Sequence, residues 1–231
     1  MSKAIFVTAT GTDVGKTYVS ALIAKKLCDN GLKAGYFKVA SSGAEKEKQA
    51  PIVGDAKAVC DMSGLDYRRD AKVSYTFQTP VSPHLAAELE GEPIVLSKVI
   101  YDFSTFAPQF DYLCVEGSGG IICPLRLDEE NQLLLEDVVK ALTLSCLIVA
   151  SAELGTINAT LLTVAYIRSR GIGINGIILN NYDPEHFLHI DNKKQIERMS
   201  GLPVIACVKK DAQNLDISID ALSAVFEEVN S

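Results

Sequence analysis

Residues 9–17 of this 231-residue chain, Ala-Thr-Gly-Thr-Asp-Val-Gly-Lys-Thr, lie between an apolar run at 5–8 and a stretch whose pattern predicts a helix. In that setting, backbone N–H groups and the helix dipole attract phosphate oxygens, the Lys16 ammonium group neutralises their charge, and the Thr17 hydroxyl can ligate Mg²⁺. The standard spacing has a glycine at position 10, where this chain has Thr10. We therefore predict a variant phosphate-binding loop; the alternative is an ordinary strand-to-helix turn with a solvated lysine.

Glu116 ends another apolar run, 112–115, and precedes a glycine-rich stretch at 117–120. A side chain at the carboxyl end of a parallel strand points into the crevice where ligands of open α/β sheets bind. Carboxylate oxygens suit Mg²⁺, and glycines allow a ligand to approach the backbone closely. Glu116 is therefore a candidate metal ligand beside the phosphate-binding loop.

Lys38 follows the apolar residues 35–37 and precedes the hydroxyl groups of Ser41 and Ser42. We expect its strand to lie beside the first strand, so that Lys38 reaches the same crevice; the alternative is an edge lysine whose ammonium group reaches solvent. Asp55 follows Gly54 at the start of a predicted short helix, where the spacing alone favours a helix N-cap over a metal ligand.

The elements that must position these residues are apolar runs alternating with helix-length amphipathic segments. Most runs are apolar throughout, as expected for parallel strands that are covered on both faces. The alternation predicts an α/β fold, with a doubly wound, mainly parallel sheet and helices on both faces, in a single domain spanning 1–231. The runs lie at 5–8, 35–39, 112–116, 146–150, 174–179 and 204–208, and helices are predicted at 16–30, about 157–170 (with Thr156 as N-cap) and 218–229.

Two stretches interrupt this alternation. Residues 41–54 are polar and predict a mobile loop, whereas 70–110 contain four prolines and predict short helices and turns that decorate the sheet. His186 and His189, three residues apart, favour a solvated surface segment over a metal pair because no third ligand is in view.

Composition places the chain among ordinary globular proteins. With 48% hydrophobic and 22% charged residues, disordered and low-complexity classes are excluded. The net charge of -7 and the scattered basic pairs argue against a nucleic-acid surface. The six cysteines lack Cys-x-x-Cys spacing, which favours reduced thiols. With no signal-peptide layout and no apolar stretch near the ~20 residues that span a membrane, we expect a cytoplasmic, soluble protein.

The phosphate-binding loop is the first of several short motifs that occur along the chain in a characteristic order. They are Thr12-Asp13-Val14-Gly15-Lys16-Thr17, Gly35-Tyr36-Phe37-Lys38 with Ser42-Gly43, Gly54-Asp55-Ala56, Pro80-Val81-Ser82-Pro83-His84, Val115-Glu116-Gly117-Ser118-Gly119-Gly120, Gly155-Thr156-Ile157-Asn158 and Gly176-Ile177-Ile178-Leu179-Asn180. Over essentially the whole chain, their order and separation resemble the dethiobiotin synthetase family of the P-loop NTPase lineage. The chain departs from that family's usual pattern at Ala9, Asp13, Val39 and, after the last strand, at 206–209.

The resemblance implies an ATP-dependent ligase of biotin synthesis, with Mg²⁺ as cofactor. Its substrates would be 7,8-diaminononanoate, CO₂ and ATP, and its products dethiobiotin, ADP and phosphate. One amine captures CO₂ as a carbamate, the carbamate oxygen attacks the γ-phosphate, and the second amine closes the urea ring. The resemblance also suggests a homodimer with composite sites; the alternative is a monomer in which Thr156 is only a helix N-cap. From the charge and the lack of a long apolar stretch, we expect no nucleic-acid or membrane partner.

The resemblance assigns roles to individual residues. Lys16 would contact the β- and γ-phosphates and Lys38 the carbamate and γ-phosphate, while Thr17, Asp55 and Glu116 would hold Mg²⁺. The nucleotide site would comprise Thr12, Asp13, Val14, Gly15, Lys16, Thr17, Tyr18, Asp55, Glu116, Gly117, Ser118, Gly119, Asn180 (at the adenine) and Asn181. The carbamate and diamine would be positioned by Ser42, Gly119 and Gly120, and the substrate carboxylate by Gly155, Thr156 and Asn158 of the partner subunit.

Two other classes remain as alternatives. Amidating ligases of corrin synthesis share the lineage but rely on an added glutamine-amidotransferase domain, which needs far more than 231 residues. Switch-type ATPases of the positioning and partition class carry an extra lysine early in the loop, where this chain has Gly11.

Overall fold

Seven parallel strands form the central sheet of the computed structural model, which describes residues 2–44, 53–129 and 131–229. Their order is β3-β2-β4-β1-β7-β8-β9, the short β10 pairs antiparallel with the start of β1, and β5 and β6 form a separate antiparallel hairpin. The strands are β1 (Lys3–Ala9), β2 (Ala34–Ser41), β3 (Ala71–Thr76), β4 (Tyr112–Glu116), β5 (Pro124–Leu127), β6 (Gln132–Leu134), β7 (Cys146–Ser151), β8 (Ile174–Asn180), β9 (Val204–Val208) and β10 (Glu227–Glu228).

Helices cover both faces of this sheet. They are α1 (Lys16–Asp29), α2 (Gly54–Ser63), α3 (Pro83–Glu90), α4 (Leu96–Phe106), α5 (Leu135–Ala141), α6 (Thr156–Ser169), α7 (Phe187–Ser200) and α8 (Ile219–Ser223), with a 3₁₀ turn at Ala107–Gln109. Side chains of α1, α2 and α8 join one apolar cluster, and those of α3 to α7 join the other. Alternate residues of β1 enter opposite clusters, Ile5 the first and Phe6 the second. This two-sided burial confirms the predicted doubly wound α/β fold and explains why the strands are apolar throughout.

The predicted neighbour of the first strand is wrong. We expected β2 beside β1, but β4 lies between them. Glu116 at the end of β4 therefore pairs in register with Lys38 of β2 on one side and with Val7 of β1 on the other. The strand order brings Glu116 to the centre of the site.

Three predicted elements also need correction. The helix expected at 218–229 ends at Ser223, because Val225 and Phe226 turn into the core and the chain then pairs with β1. The N-cap of α6 is Gly155 in the left-handed conformation (φ 91°), not Thr156, which is the first helical residue. The stretch 70–110 contains α3 and α4 as expected, but it also contains the edge strand β3. This strand was not predicted because polar residues interrupt its apolar pattern.

Most of the predicted mobile loop at 41–54, namely 45–52, lies outside the described residues. None of the six cysteines, all of which lie in described segments, forms a disulfide. Within the described parts of the chain, no helix is both long and apolar enough to cross a lipid bilayer.

Candidate active site

The turn from β1 into α1 has the geometry of the predicted phosphate-binding loop. Gly15 has a left-handed φ of 93° and directly precedes Lys16, the first residue of α1. A Cβ atom at Gly15 would lie 2.0 Å from Nδ2 of Asn180, which donates a hydrogen bond to the Val14 carbonyl at 3.0 Å. Because that space is taken, only glycine fits at position 15, and the Asn180 side chain braces the loop from β8.

Glu116 lies at the centre of a cluster of cationic and hydroxyl groups. Its Oε1 atom is 2.8 Å from Nζ of Lys38, 3.3 Å from Nζ of Lys16 and 3.1 Å from the Thr17 hydroxyl. Its Oε2 atom accepts a hydrogen bond of 2.9 Å from the Ser20 hydroxyl. The carboxylate is fully buried, so these partners replace the water that an ionised glutamate would otherwise require.

Asp55 joins the cluster from α2. Its Oδ2 atom lies 2.6 Å from Nζ of Lys38, whose side chain is 2% exposed, while the Asp55 side chain is 46% exposed. The N-cap reading of Asp55 is wrong, since Val53 occupies the N-cap position. Lys38 is thus held between a buried and an exposed carboxylate and does not extend into solvent.

The charges of this cluster stabilise one another. Burial alone would raise the pKa of Glu116, but the Lys38 and Lys16 ammonium groups outweigh burial and lower that pKa to about 2. Burial alone would lower the pKa of Lys38, but Glu116 and Asp55 outweigh it and raise the pKa. Both groups are therefore ionised throughout the neutral pH range.

We expect this ionisation to make the free energy of unfolding depend on acid pH. The folded pKa of Glu116, about 2, is below its ordinary 4.5, so its contribution of about 3 kcal/mol is complete above pH 4.5 and is lost as the pH falls towards 2. Urea unfolding between pH 2 and 7 should show this slope in the wild type. Glu116→Gln should flatten it and lower the free energy of unfolding at pH 7.

Glu88→Gln is the matched control, because Glu88 is an exposed residue of α3. This substitution should leave both the pH slope and the free energy of unfolding at pH 7 unchanged. If Glu116→Gln and Glu88→Gln behave alike between pH 2 and 7, the ion pairs of Glu116 do not stabilise the fold.

An open cleft of about 910 Å³ lies above this cluster, at the carboxyl edge of the sheet. Neither Glu116 nor Gly117 lines it: Glu116 lies beneath the floor, and a Cβ atom at Gly117 would be 2.4 Å from the Leu135 side chain. The predicted site residues that line the cleft are Thr12, Asp13, Val14, Gly15, Lys16, Thr17, Tyr18, Lys38, Ser42, Asp55, Ser118, Gly119 and Gly120. Most of the predicted phosphate, carbamate and metal residues therefore converge.

Other predicted residues lie outside this cleft. Asn180 is buried behind the loop, and Asn181 is exposed beyond β8 with a left-handed φ of 57°. Gly155, Thr156 and Asn158 begin α6 at the carboxyl end of β7 and do not line the cleft. Within one chain, the helix start predicted to receive the substrate carboxylate is separate from the phosphate side.

The donor set of the cluster fits Mg²⁺. The Thr17 hydroxyl and the Asp55 and Glu116 carboxylates are hard oxygen donors: both carboxylates contact Lys38, and the hydroxyl contacts Glu116. Among the described residues, no group of three or more His, Cys, Asp or Glu side chains could hold a metal ion. A metal held here would therefore need phosphate oxygens and water as further ligands, as Mg²⁺ commonly has.

Sequence reasoning missed several residues of the site. Ser20 was not singled out, although its position three and four residues after Thr17 and Lys16 places it on the same helix face. Apolar side chains of Met62, Ile122 and Cys123 line the cleft and were also missed. Ile122 and Cys123 could have been predicted, because they directly follow the glycine-rich stretch 117–120 and Ile121.

The histidines take no part in the Glu116 cluster. His189 is buried, and its Nδ1 atom accepts a hydrogen bond of 2.9 Å from the Asp183 backbone, so the expectation of a solvated segment is wrong for this residue. His186 is exposed and caps α7. His84 lies in the first turn of α3, next to Ser82 and Pro83 at the cleft.

The loop, the sheet order and the cleft together define a P-loop nucleotide-binding protein, and a family model described as an AAA domain matches residues 3–215. Solved structures agree on this fold. The ParA family ATPase of Chlorobium tepidum superposes with a TM-score of 0.56 at 15% identity, covering 91% of this chain and 84% of that one. A chain of the MinC:MinD cell division protein complex of Aquifex aeolicus gives a TM-score of 0.57 at 15% identity, covering 97% of this chain and 86% of that one.

Sequence relatives narrow this class to one family. A protein of Clostridium botulinum strain Loch Maree, named ATP-dependent dethiobiotin synthetase BioD, is 45% identical over 229 residues, covering 99% of this chain and 100% of that protein. The protein of the same name from strain Alaska E43 is 43% identical over 227 residues, covering 98% and 99%. This chain belongs to the ATP-dependent dethiobiotin synthetase family, and the resemblance drawn from its motifs is confirmed.

Proposed function

We propose that this chain is an ATP- and Mg²⁺-dependent dethiobiotin synthetase. The main support for this function is the cluster of Lys16, Thr17, Lys38 and Asp55, which lines one cleft, with Glu116 directly beneath it. Two cations beside a phosphate-binding loop suit a reaction in which negative charge develops on a transferring phosphoryl group. Family membership then selects the substrates.

The proposed reaction has three steps. An amine of 7,8-diaminononanoate adds to CO₂, loses a proton and becomes a carbamate. A carbamate oxygen attacks the γ-phosphorus of ATP, giving a mixed carbamic–phosphoric anhydride and ADP. The nitrogen of the second amine then attacks the carbamoyl carbon, closes the five-membered urea ring and releases phosphate.

The residues of this chain bind and orient the reactants. The loop backbone and Lys16 hold the β- and γ-phosphates, and Lys38 contacts both the carbamate and the γ-phosphate, so that the reacting oxygen and phosphorus meet. Ser42, Gly119 and Gly120 line the adjoining wall and position the carbamate and diamine. When bound, Mg²⁺ would neutralise phosphate charge, and Thr17, Asp55 and Glu116 would hold it directly or through water.

Two further features bear on these substrates. Oδ1 of Asn180 is buried and has no hydrogen-bond partner among the described residues, and Asn180 does not line the cleft. The proposed acceptance of a hydrogen bond from the adenine amino group would therefore require this side chain and the loop in front of it to rearrange. The apolar side chains of Met62, Val81 and Ile122 along the cleft suit the aliphatic chain of the diamine.

We also propose a cytoplasmic homodimer with composite sites. The carboxylate at the far end of the diamine needs a receptor away from the phosphates, and the first turn of α6 offers the positive end of a helix dipole. The Thr156 N–H there already donates to the Glu153 carbonyl at 3.2 Å. Supplied by the partner subunit, Gly155, Thr156 and Asn158 would complete each site. The exposed side chains of Leu154 and Leu162, next to this turn and further along α6, are apolar surface that a second copy could cover. The unpaired cysteines suit a reducing compartment.

Phosphate release by the purified protein tests the proposed reaction. We expect release only when the diamine, bicarbonate, ATP and Mg²⁺ are all present, and omission of any one should reduce the rate to background. Release from ATP that is unaffected by omitting the diamine would instead favour a switch-type ATPase.

Lys16→Ala should reduce turnover by about 10³-fold and weaken ATP binding, because its ammonium group faces the developing phosphate charge. The fold should survive, since Lys38 and Ser20 still satisfy Glu116. Turnover, binding of a fluorescent ATP analogue and thermal unfolding would be measured. Lys25→Ala, on the same helix but outside the cleft, is the control, and Lys16→Ala with normal affinity and rate would refute the assignment.

A further inference from the structure

The two oxygens of Glu116 are held by different kinds of partner. Oε1 accepts hydrogen bonds from the side chains of Lys16, Thr17 and Lys38, all of which also line the cleft. Oε2 accepts a hydrogen bond from Ser20, which is 0% exposed and does not line the cleft. Oε1 therefore contacts the side chains that line the cleft, and Oε2 is bonded to α1 away from the cleft.

The position of Ser20 on α1 explains this arrangement. Lys16, Thr17 and Ser20 are spaced so that they lie on one helix face, one turn apart. The helix that presents the phosphate-binding lysine thus also presents the hydroxyl group that anchors the carboxylate. Because Ser20 cannot reach a ligand in the cleft, any effect it has on the reaction must act through Glu116.

A hydrogen bond to one oxygen fixes the rotation of a carboxylate. With Oε2 attached to Ser20 at 2.9 Å, the carboxylate plane cannot turn without breaking that bond. Oε1 then stays aligned with Thr17 and Lys38. Without the hydroxyl, Oε2 loses this anchor, and the carboxylate can turn to share both oxygens between the two lysines.

We propose that Ser20 is a positioning residue for Glu116, holding Oε2 so that Oε1 presents a fixed oxygen to Lys38, Thr17 and a bound divalent cation. The expected effect of Ser20 on kcat rests on the proposed ligase function. Its expected effect on metal binding does not. Outer partners that orient a metal ligand commonly affect metal affinity or activity by about 10- to 100-fold.

The effect of the Ser20 hydroxyl group can be separated from that of side-chain size with a pair of variants of similar volume. Ser20→Thr keeps the hydroxyl, whereas Ser20→Val replaces it with a methyl group of similar volume. The kcat, the Mg²⁺ concentration needed for half-maximal rate, and binding of Mn²⁺ by electron paramagnetic resonance with a non-hydrolysable ATP analogue would be measured for both. We expect Ser20→Val to have a kcat about tenfold lower than Ser20→Thr and to bind Mn²⁺ about tenfold more weakly.

Ser63→Ala is the matched control, because Ser63 is also a buried helix serine but its hydroxyl donates only within its helix, to the Val59 carbonyl. It should leave kcat and Mn²⁺ binding within about twofold of the wild type. Equal Mn²⁺ affinities for Ser20→Thr and Ser20→Val would overturn the proposal, even if both were slower than the wild type. If the wild type lacks diamine-dependent turnover, the proposed function fails, while the Mn²⁺ comparison still decides the role of Ser20.

Discussion

Lys38→Ala should lower kcat by about 10²- to 10³-fold while changing the affinity for ATP only a few-fold. Lys38 lies between Glu116 and Asp55 and lines the cleft beside the phosphate-binding loop. From there its ammonium group can stabilise charge that develops between carbamate and phosphoryl group, and such charge exists fully only in the transition state. Single-turnover rates and ATP binding would be measured separately.

Lys38→Met keeps the length and apolar volume of the buried side chain, so it separates loss of charge from loss of packing. Both variants should have a similarly low kcat. Lys72→Ala, in the neighbouring strand β3, removes a lysine that pairs with Asp102 outside the cleft, and it should retain wild-type turnover. A Lys38→Met variant that loses ATP binding but keeps its maximal rate would show that Lys38 only anchors the nucleotide.

Two inactive variants should restore activity when they share a dimer. Lys38→Ala damages the phosphoryl side of a site, and Asn158→Trp should block the carboxylate side at the start of α6. Asn158 is exposed and helical, so tryptophan there avoids the strain expected at Gly155, whose φ is 91°. If each site combines two subunits, a mixed dimer has one undamaged site, and equal mixing should return about a quarter of wild-type activity.

A mixture of Lys38→Ala with Lys16→Ala is the control for this experiment. Both lesions lie on the phosphoryl side, so every site of that mixed dimer is damaged and no activity should return. If mixed dimers of Lys38→Ala and Asn158→Trp form but remain inactive, the carboxylate is received within one chain and the composite site is wrong.

The parts of the site that sequence predicted are those with local signals. The phosphate-binding loop is contiguous, Glu116 ends one apolar run, and Lys38 lies near the end of another, so their placement at one edge of the sheet followed from the positions of these runs. The expectation that Lys38 ends its strand is wrong, because β2 continues to Ser41. The partner of Asp55 was not predictable in the same way. Its contact with Lys38 depends on how α2 packs against β2, whereas local spacing pointed to an N-cap.

The errors in the fold have similar causes. The insertion of β4 between β1 and β2 is a long-range pairing that no local pattern encodes. At α6, cap preference favoured Thr156, but the turn needs a left-handed residue and Gly155 supplies it. In the last segment a helical pattern was overridden because Val225 and Phe226 bury in the core before β10.

Product analysis with ¹³C-labelled bicarbonate would show whether this protein makes dethiobiotin. The purified protein would be incubated with 7,8-diaminononanoate, ATP, Mg²⁺ and the label, and the products identified by mass spectrometry alongside ADP and phosphate. We expect dethiobiotin carrying one ¹³C atom in its ring carbonyl, formed in equal amounts with ADP and phosphate, and no dethiobiotin when the diamine is omitted. ADP formation at the same rate without the diamine, with no labelled ring product in its presence, would contradict this expectation.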